Sequence, residues 1–144
     1  MIAVDTNLLV YAHREDSPWH ATAYTCISEL AEGSAPWAIP WPCIHEFLST
    51  VTNPSVFKTP TPLELAFQQL DAWLTSPKVA LLGETDGYLE RLRVVASSGR
   101  VVGPLIHDAR IATLCLLHGI DELWTADRDF GRFPLLSVRN PLIT

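Results

Sequence analysis

The sequence predicts an α/β domain in which a central parallel sheet carries helices on both faces. Short apolar runs typical of buried strands alternate with longer amphipathic patterns of helical period along the 144 residues. The first such run begins at Ile2, so its strand must find partners far away in the sequence. No linker, internal repeat or low-complexity tract interrupts the pattern, and we therefore expect one domain over residues 1–144.

The first elements are a buried strand and two helices. Val4 and its immediate neighbours are continuously apolar, which is typical of a parallel strand covered on both faces. A helix is expected to follow from Asn7. Ser17–Pro18 then combines an N-cap residue with proline at the first helical position, and Gly33 ends the second helix.

A second strand and two further helices occupy the middle of the chain. Trp37–Pro40 is the predicted strand, and Trp41–Pro42 opens a helix that Asn53–Pro54 ends. Thr61–Pro62 repeats the capping signal, and a helix is predicted after it. The apolar positions of that helix recur at helical spacing at Leu63, Ala66, Phe67, Leu70, Trp73 and Leu74.

Three strands and two helices complete the pattern. Val79–Leu82 is a short apolar strand, and the apolar positions between Tyr88 and Ala96 predict a helix that Gly99 ends. A largely apolar helix is expected over residues 107–118, before Gly119. The last two predicted strands cover Leu123–Thr125 and Leu136–Val138.

The composition excludes several classes of protein. Apolar residues make up 48% of the chain, charged residues make up 18%, and the net charge of −6 argues against a general nucleic-acid binder. Three widely spaced cysteines indicate neither a disulfide framework nor a zinc site. No apolar run reaches the roughly 20 residues of a membrane span. The N-terminal residues do not resemble a signal peptide, so we expect a cytoplasmic protein without membrane attachment.

Four acidic residues occupy positions at which a parallel sheet binds ligands. Asp5 and Asp127 follow predicted strands, and ligands of such sheets lie beyond the carboxyl ends of the strands. Glu46 lies in the helix after the second strand, and Asp108 lies in the first turn of its helix. Each acid taken alone also has an ordinary structural explanation, as a helix cap, a solvated helix residue or a turn residue.

Carboxylates that share one crevice repel each other, which either raises some of their pKa values or requires a cation. A hard ion such as Mg²⁺ or Mn²⁺ suits oxygen ligands, and it supports phosphodiester hydrolysis. Phosphatases that use an aspartyl-phosphate are disfavoured because Asn7 stands where the second acid of Asp-x-Asp would be. Receiver domains need a late strand-end lysine, yet Lys58 and Lys78 are the only lysines. A binding module without hydrolysis stays open as an alternative.

The ordered acidic motifs resemble those of PIN-domain nucleases, and more narrowly the VapC toxins of bacterial type II toxin–antitoxin pairs. The resemblance covers nearly the whole chain, from Asp5–Asn7 through Glu46 and His107–Ala112 to Thr125–Phe130. It implies a three-layer α/β/α fold with a central parallel sheet, and endoribonuclease activity that depends on Mg²⁺ or Mn²⁺. A PIN-domain RNA-processing nuclease that is not a toxin is the alternative within the same fold.

The resemblance also assigns roles to individual residues. Asp5, Glu46, Asp108 and Asp127 would form the catalytic, metal-binding quartet, and Asp129 matches a further acid of lower rank. Thr6, Asn7 and Thr125 would orient the acids through hydrogen bonds. Arg110 and Arg128 flank the acids and are possible contacts for RNA or an antitoxin. The implied partners are an RNA substrate, a cognate VapB-like antitoxin and a second copy of the chain in a homodimer.

Overall fold

The structure, a computed structural model, describes residues 1–143 and places a five-stranded sheet at the centre of the molecule. All strand pairs are parallel, and the strand order is β3-β2-β1-β4-β5. The predicted parallel α/β architecture is therefore confirmed. The strands are β1 (Ile2–Val4), β2 (Trp37–Pro40), β3 (Val79–Leu82), β4 (Glu122–Trp124) and β5 (Val138–Arg139).

Six α-helices flank this sheet within the described residues, and they carry every connection between its strands except that from β4 to β5. No helix within residues 1–143 combines the length and the apolar character that crossing a membrane requires. Two short 3₁₀ turns, Gly103–Leu105 and Arg128–Arg132, lie in the connections. The α-helices are α1 (Thr6–His13), α2 (His20–Glu32), α3 (Trp41–Val51), α4 (Leu63–Leu74), α5 (Tyr88–Ser98) and α6 (Ile106–Leu117).

The apolar character of the central strands explains their position. Val4 of β1, Ile39 of β2 and Leu123 of β4 are fully buried, as expected for strands covered on both faces. Ile2 aligns with Trp37 on one side and with Glu122 on the other, so β1 lies between strands that are distant in sequence. The buried apolar residues form one contiguous core. Because the strands are parallel, their carboxyl ends meet at one edge of the sheet.

Two predicted helix starts differ from the observed ones for identifiable reasons. Pro18 lies in a turn, in which the Ser17 hydroxyl accepts a hydrogen bond from the Trp19 amide at 3.1 Å, and α2 begins only at His20. Thr61 does not cap α4, because its hydroxyl group bonds to the His13 ring at 3.0 Å. Both Ser-Pro and Thr-Pro therefore mark the approach to a helix rather than its cap.

The last strand is also shifted from its predicted position. Leu136 lies in a turn, where its amide donates to the Phe133 carbonyl at 3.1 Å, and β5 covers Val138–Arg139 instead of residues 136–138.

The buried face of α4 is narrower than the predicted apolar stripe. In α4, the buried positions are Ala66, Leu70 and Trp73, whereas Phe67 is 47% exposed. Phe67 follows Ala66 by one residue, about 100° around the helix, and so it leaves the buried face.

Candidate active site

The four predicted acids line a single cleft at the carboxyl edge of the sheet. Asp5 follows β1, Glu46 lies in α3, Asp108 lies in the first turn of α6, and Asp127 follows β4. Their side chains face a cleft of about 340 Å³. Residues that are more than a hundred positions apart in the sequence thus meet because β1 and β4 are adjacent parallel strands.

Asp5 is the most deeply buried of these acids, with only 4% of its surface exposed. One carboxylate oxygen accepts from the Thr6 amide at 2.7 Å and from the Cys43 thiol at 3.6 Å. The other accepts from the Thr125 hydroxyl at 2.7 Å and from the Asn7 amide at 3.2 Å. All four donors are neutral.

The electrostatic state of Asp5 follows from this burial. Loss of hydration raises the pKa of Asp5 from 3.8 to about 6, and the negative charge of Glu46 adds to the increase. The hydrogen bonds from Thr125 and Thr6 act in the opposite direction, because they favour the charged carboxylate. The neutral donors therefore fix the orientation of the carboxylate without cancelling the cost of its charge.

The predicted auxiliary residues connect the ends of β1 and β4 and hold Glu46. The Thr6 hydroxyl donates to Glu46 Oε2 at 2.6 Å. Asn7 donates to Thr125 Oγ1 at 3.0 Å, and its side-chain oxygen accepts from the Ala126 amide at 3.1 Å. Thr125 Oγ1 also accepts from the Asp127 amide at 3.0 Å. These bonds set the positions of the carboxylates relative to one another.

Asp129 lies closer to the other acids than its lower rank implied. One carboxylate oxygen from each of Asp108, Asp127 and Asp129 lies within 4.8 Å of the other two. The Asp129 amide donates to Asp127 Oδ1 at 2.9 Å at the start of the 3₁₀ turn, which brings the two side chains together. We call Asp5, Glu46, Asp108, Asp127 and Asp129 the acid cluster.

The pKa of Asp108 is raised to about 6. Burial is the largest cause, and the negative charges of the other acids add to it, in the order Asp127, Asp5, Asp129 and Glu46. Among residues 1–143, no arginine, lysine or histidine forms an ion pair with these five acids. The cluster therefore carries negative charge that the protein itself does not neutralise. Its donors are all carboxylate oxygens, the type of ligand that Mg²⁺ and Mn²⁺ prefer, and this donor set fits such an ion.

The two predicted arginine contacts lie beside the cluster rather than in it. Arg110 pairs with Glu84, with Nη2 at 2.9 Å and Nε at 3.0 Å from the same Oε1 atom. Arg128 is exposed and lines a neighbouring depression together with Asp127. Their roles towards RNA or an antitoxin remain predictions.

Sequence reasoning missed the apolar wall of the cleft. Val10 and Tyr11 of α1 and Val56 and Phe57 of the α3–α4 loop, residues 52–62, line the cleft with the acids. The available signal was the pair Val56–Phe57, which stands among polar residues and prolines and belongs to no amphipathic stripe. Phe57 packs partly against the core and Val56 is 54% exposed, so this loop presents apolar surface to the cleft.

The PIN domain family model matches residues 2–135. Ribonuclease VapC43 of Mycobacterium tuberculosis is 37% identical over 142 residues, which cover 99% of this chain and 96% of that protein. Ribonuclease VapC48 of the same species is 31% identical over 137 residues, which cover 95% and 94% of the two chains. This chain belongs to the VapC ribonuclease family of PIN domains. The resemblance inferred from the acidic motifs is thereby confirmed.

A solved structure supports the PIN-domain fold independently. The structure of VapBC2 from Rickettsia felis, bound to a DNA fragment from its promoter, superimposes with a TM-score of 0.71 at 21% identity. The match covers 97% of this PIN domain and 98% of that chain. At this identity the likeness establishes the three-layer fold, while membership of the VapC family rests on the closer sequence relatives.

Proposed function

We propose that this PIN domain is a Mg²⁺- or Mn²⁺-dependent endoribonuclease and the toxin of a type II toxin–antitoxin pair. The observation that carries the proposal is the convergence of four carboxylates on one cleft, with Asp129 beside two of them, and no ion pair to a basic side chain among residues 1–143. The ribonuclease names of VapC43 and VapC48 support the reaction class. The reaction would take place in the cytoplasm and would inhibit translation or growth.

In this proposal Asp5, Glu46, Asp108 and Asp127 hold the metal ion, and Asp129 assists from the edge of the cleft. When bound, the ion supplies Lewis-acid chemistry, in which it polarises the phosphodiester and lowers the pKa of a water molecule. The protein contributes the position of each carboxylate. Thr125 and Asn7 orient Asp5, and Thr6 orients Glu46, through the hydrogen bonds described above.

The raised pKa values of Asp5 and Asp108 make cation binding in this proposal depend on pH. Both carboxylates are ionised above about pH 6, so above that value the cleft presents its full negative charge to a cation. His107 is exposed and follows Ile106 at the start of α6, and the proposal gives it no part in proton transfer. Arg110 and Arg128 remain proposed contacts for RNA or the antitoxin.

The proposed protein partners are a VapB-like antitoxin and a second copy of the chain. The toxin–antitoxin assembly VapBC2 of Rickettsia felis shares the fold over almost the whole chain. The exposed apolar residues of this PIN domain, among them Trp19, Tyr24 and Trp41, offer surface for such interfaces. Co-expression with the small gene product encoded next to the toxin, followed by size-exclusion chromatography and light scattering, measures both assemblies.

Cleavage of purified RNA tests the enzymatic proposal directly. Total RNA is incubated with the purified domain in the presence of Mg²⁺ or Mn²⁺, and new RNA ends are mapped by sequencing. We expect cleavage at defined positions that a chelator abolishes and that added Mn²⁺ restores. Cleavage that continues unchanged in the chelator, or no cleavage with either ion, contradicts the proposal.

A further inference from the structure

Two clefts of the molecule are parts of one groove. The acid-lined cleft is continuous with a second cleft of about 330 Å³, because four apolar residues line both of them. We call this shared segment the aromatic groove. It consists of Val10, Tyr11, Val56 and Phe57. The groove leads from the acid cluster to a surface formed by Arg14, Asp16 and Lys58.

The charge along this groove changes from one end to the other. Arg14 and Asp16 neutralise each other through two hydrogen bonds of 2.9 Å and 2.6 Å. Lys58 is exposed and forms no ion pair within the described residues, 1–143. The far end of the groove therefore carries one available positive charge, in a protein whose net charge is −6. Its middle is apolar and aromatic.

The aromatic ring at the centre of the groove is held in place before any ligand arrives. The Arg14 guanidinium lies 4.1 Å from the centroid of the Phe57 ring, and its Nη1 donates to the Thr59 carbonyl at 2.8 Å. The Phe57 amide donates to the Asn53 carbonyl at 3.1 Å. Because Arg14 covers one face of this ring, a flat ligand stacks on the other face, and a ring that is already ordered loses little conformational entropy when it does so.

We propose that the aromatic groove binds one unpaired nucleobase of the RNA substrate next to the cleaved phosphodiester, and that Lys58 contacts a phosphate on the far side of that base. The proposal rests on the proposed ribonuclease function, because it takes the acid cluster as the place of cleavage. Aromatic side chains with a nearby cation are the recurrent means of holding single-stranded nucleic acid. Phe57 and Tyr11 select for an unstacked base, and Lys58 sets the direction of the strand.

RNA binding without cleavage tests the groove separately from the chemistry. The background is Asp127→Asn, which is expected to leave the RNA intact, and the probe is a short fluorescein-labelled single-stranded RNA followed by anisotropy in Mg²⁺. We expect Phe57→Leu to raise the Kd about 5- to 150-fold, the range for the loss of one stacked base. Phe57→Tyr keeps the ring and should keep the Kd. Thermal unfolding of each variant confirms that it is folded.

The two lysines of the chain provide a matched control for the phosphate contact. Lys58→Ala should make the negative slope of log K against log salt concentration shallower by about 0.7, the value for one phosphate of a single strand. Lys78→Ala removes the same charge at the start of β3, outside the groove, and should leave the slope unchanged. Equal slopes for both variants overturn the assignment of Lys58.

The remaining outcomes separate this inference from the proposed function. If the parent protein cleaves RNA but adding Phe57→Leu to the Asp127→Asn background leaves the Kd for RNA unchanged, the groove proposal is wrong and the nuclease proposal stands. If Phe57→Leu weakens RNA binding but the parent cleaves nothing, the groove is an RNA-binding site, but the nuclease proposal fails and with it the position of the groove next to a cleaved phosphodiester. If Phe57→Leu leaves RNA binding intact and prevents co-purification with the antitoxin, the groove is a protein interface and the proposal is wrong.

Discussion

Two polar clusters of this PIN domain lie at opposite ends of α1 and differ in how their charges are compensated. The acid cluster groups five carboxylates with neutral donors only. The second group, which we call the balanced cluster, joins Arg14 to Asp16 and places the Thr61 hydroxyl between the His13 ring and the Arg14 guanidinium. His13 also bonds to Gln69 of α4 at 3.1 Å. The balanced cluster connects α1, the α3–α4 loop and α4.

This difference separates stability from function in the same fold. Like charges that share a partly buried cleft oppose folding, and they are retained where a ligand neutralises them. A cluster in which each donor has an acceptor stabilises the fold and needs no ligand. Substitutions in the two clusters should therefore have opposite consequences for activity and for the free energy of unfolding.

The largest expected effect is the loss of activity when an acid is neutralised. Asp5→Asn and Asp127→Asn should each lower the rate of RNA cleavage about 1,000-fold or more, because each removes several kcal/mol of metal-dependent stabilisation of the transition state. The free energy of unfolding without metal should stay equal or rise, since one repulsive charge is removed. Kinetics, calorimetric titration with Mn²⁺ and urea unfolding measure these effects.

Asp121→Asn is a matched control, because this exposed acid lies near the start of β4, away from the cleft. Its cleavage rate and Mn²⁺ affinity should equal those of the parent. Undiminished cleavage or unchanged Mn²⁺ affinity in Asp5→Asn or Asp127→Asn would show that these positions are wrongly assigned.

The main features of fold and site follow from the sequence because they depend on local patterns. The continuous apolar runs predict strands, such as the strand around Val4 and Trp37–Pro40. The acids that follow these strands predict the edge of the sheet at which the carboxylates meet. The proximity of Asp129 to Asp108 does not follow, because it depends on the 3₁₀ turn that brings Asp129 back towards Asp127. Strand and helix periodicity carries no signal for such a turn.

The balanced cluster could not be predicted from the sequence for a related reason. Thr61 before Pro62 is typical of a helix cap, and only the packing of α1 against the loop shows that its hydroxyl group has another partner. The position of the Phe57 ring could not be predicted either, since it depends on contact with the Arg14 side chain, 43 positions earlier in the sequence. Local propensity competes here with tertiary contacts, and the tertiary contacts prevail.

The next effect is a dependence of stability on pH that the acid cluster imposes. Since folding raises the pKa values of Asp5 and Asp108 from 3.8 to about 6, the folded state binds more protons than the unfolded state between pH 4 and 6. Stability therefore falls as the pH rises through this range. Lowering the pH of the metal-free protein from about 7.5 to about 5 should add about 1 to 2 kcal/mol through the buried Asp5, and less through Asp108, whose charge solvent screens because more than half of the group is exposed.

Urea unfolding at each pH measures this dependence, and the difference between the parent and Asp5→Asn isolates the buried carboxylate. The variant should have the flatter profile over this range. Saturating Mg²⁺ should also flatten or reverse the parent's profile, because the ion favours the ionised acids. Parallel profiles for the parent and Asp5→Asn would contradict the raised pKa.

A smaller effect is expected from the hydroxyl groups that orient the acids. Thr125→Val removes the donor to Asp5 and the acceptor for the Asp127 amide, and it should lower metal affinity or activity about 10- to 100-fold. Thr125→Ser keeps the hydroxyl group and should restore most of both. If Thr125→Val and Thr125→Ser behave alike in Mn²⁺ titration, the side chain contributes through packing alone.

The smallest effect is expected in the balanced cluster, where a substitution should lower the free energy of unfolding and leave metal binding unchanged. Thr61 is 8% exposed, and Thr61→Val leaves the His13 ring and one Arg14 N–H without this partner. We expect a loss of about 1 to 2 kcal/mol in the free energy of unfolding, with Mn²⁺ affinity unchanged. Thr59→Val is the matched control, since Thr59 is exposed and contributes only its backbone carbonyl to Arg14. A loss of Mn²⁺ affinity in Thr61→Val, at unchanged stability, would show that the two clusters are not separate in function.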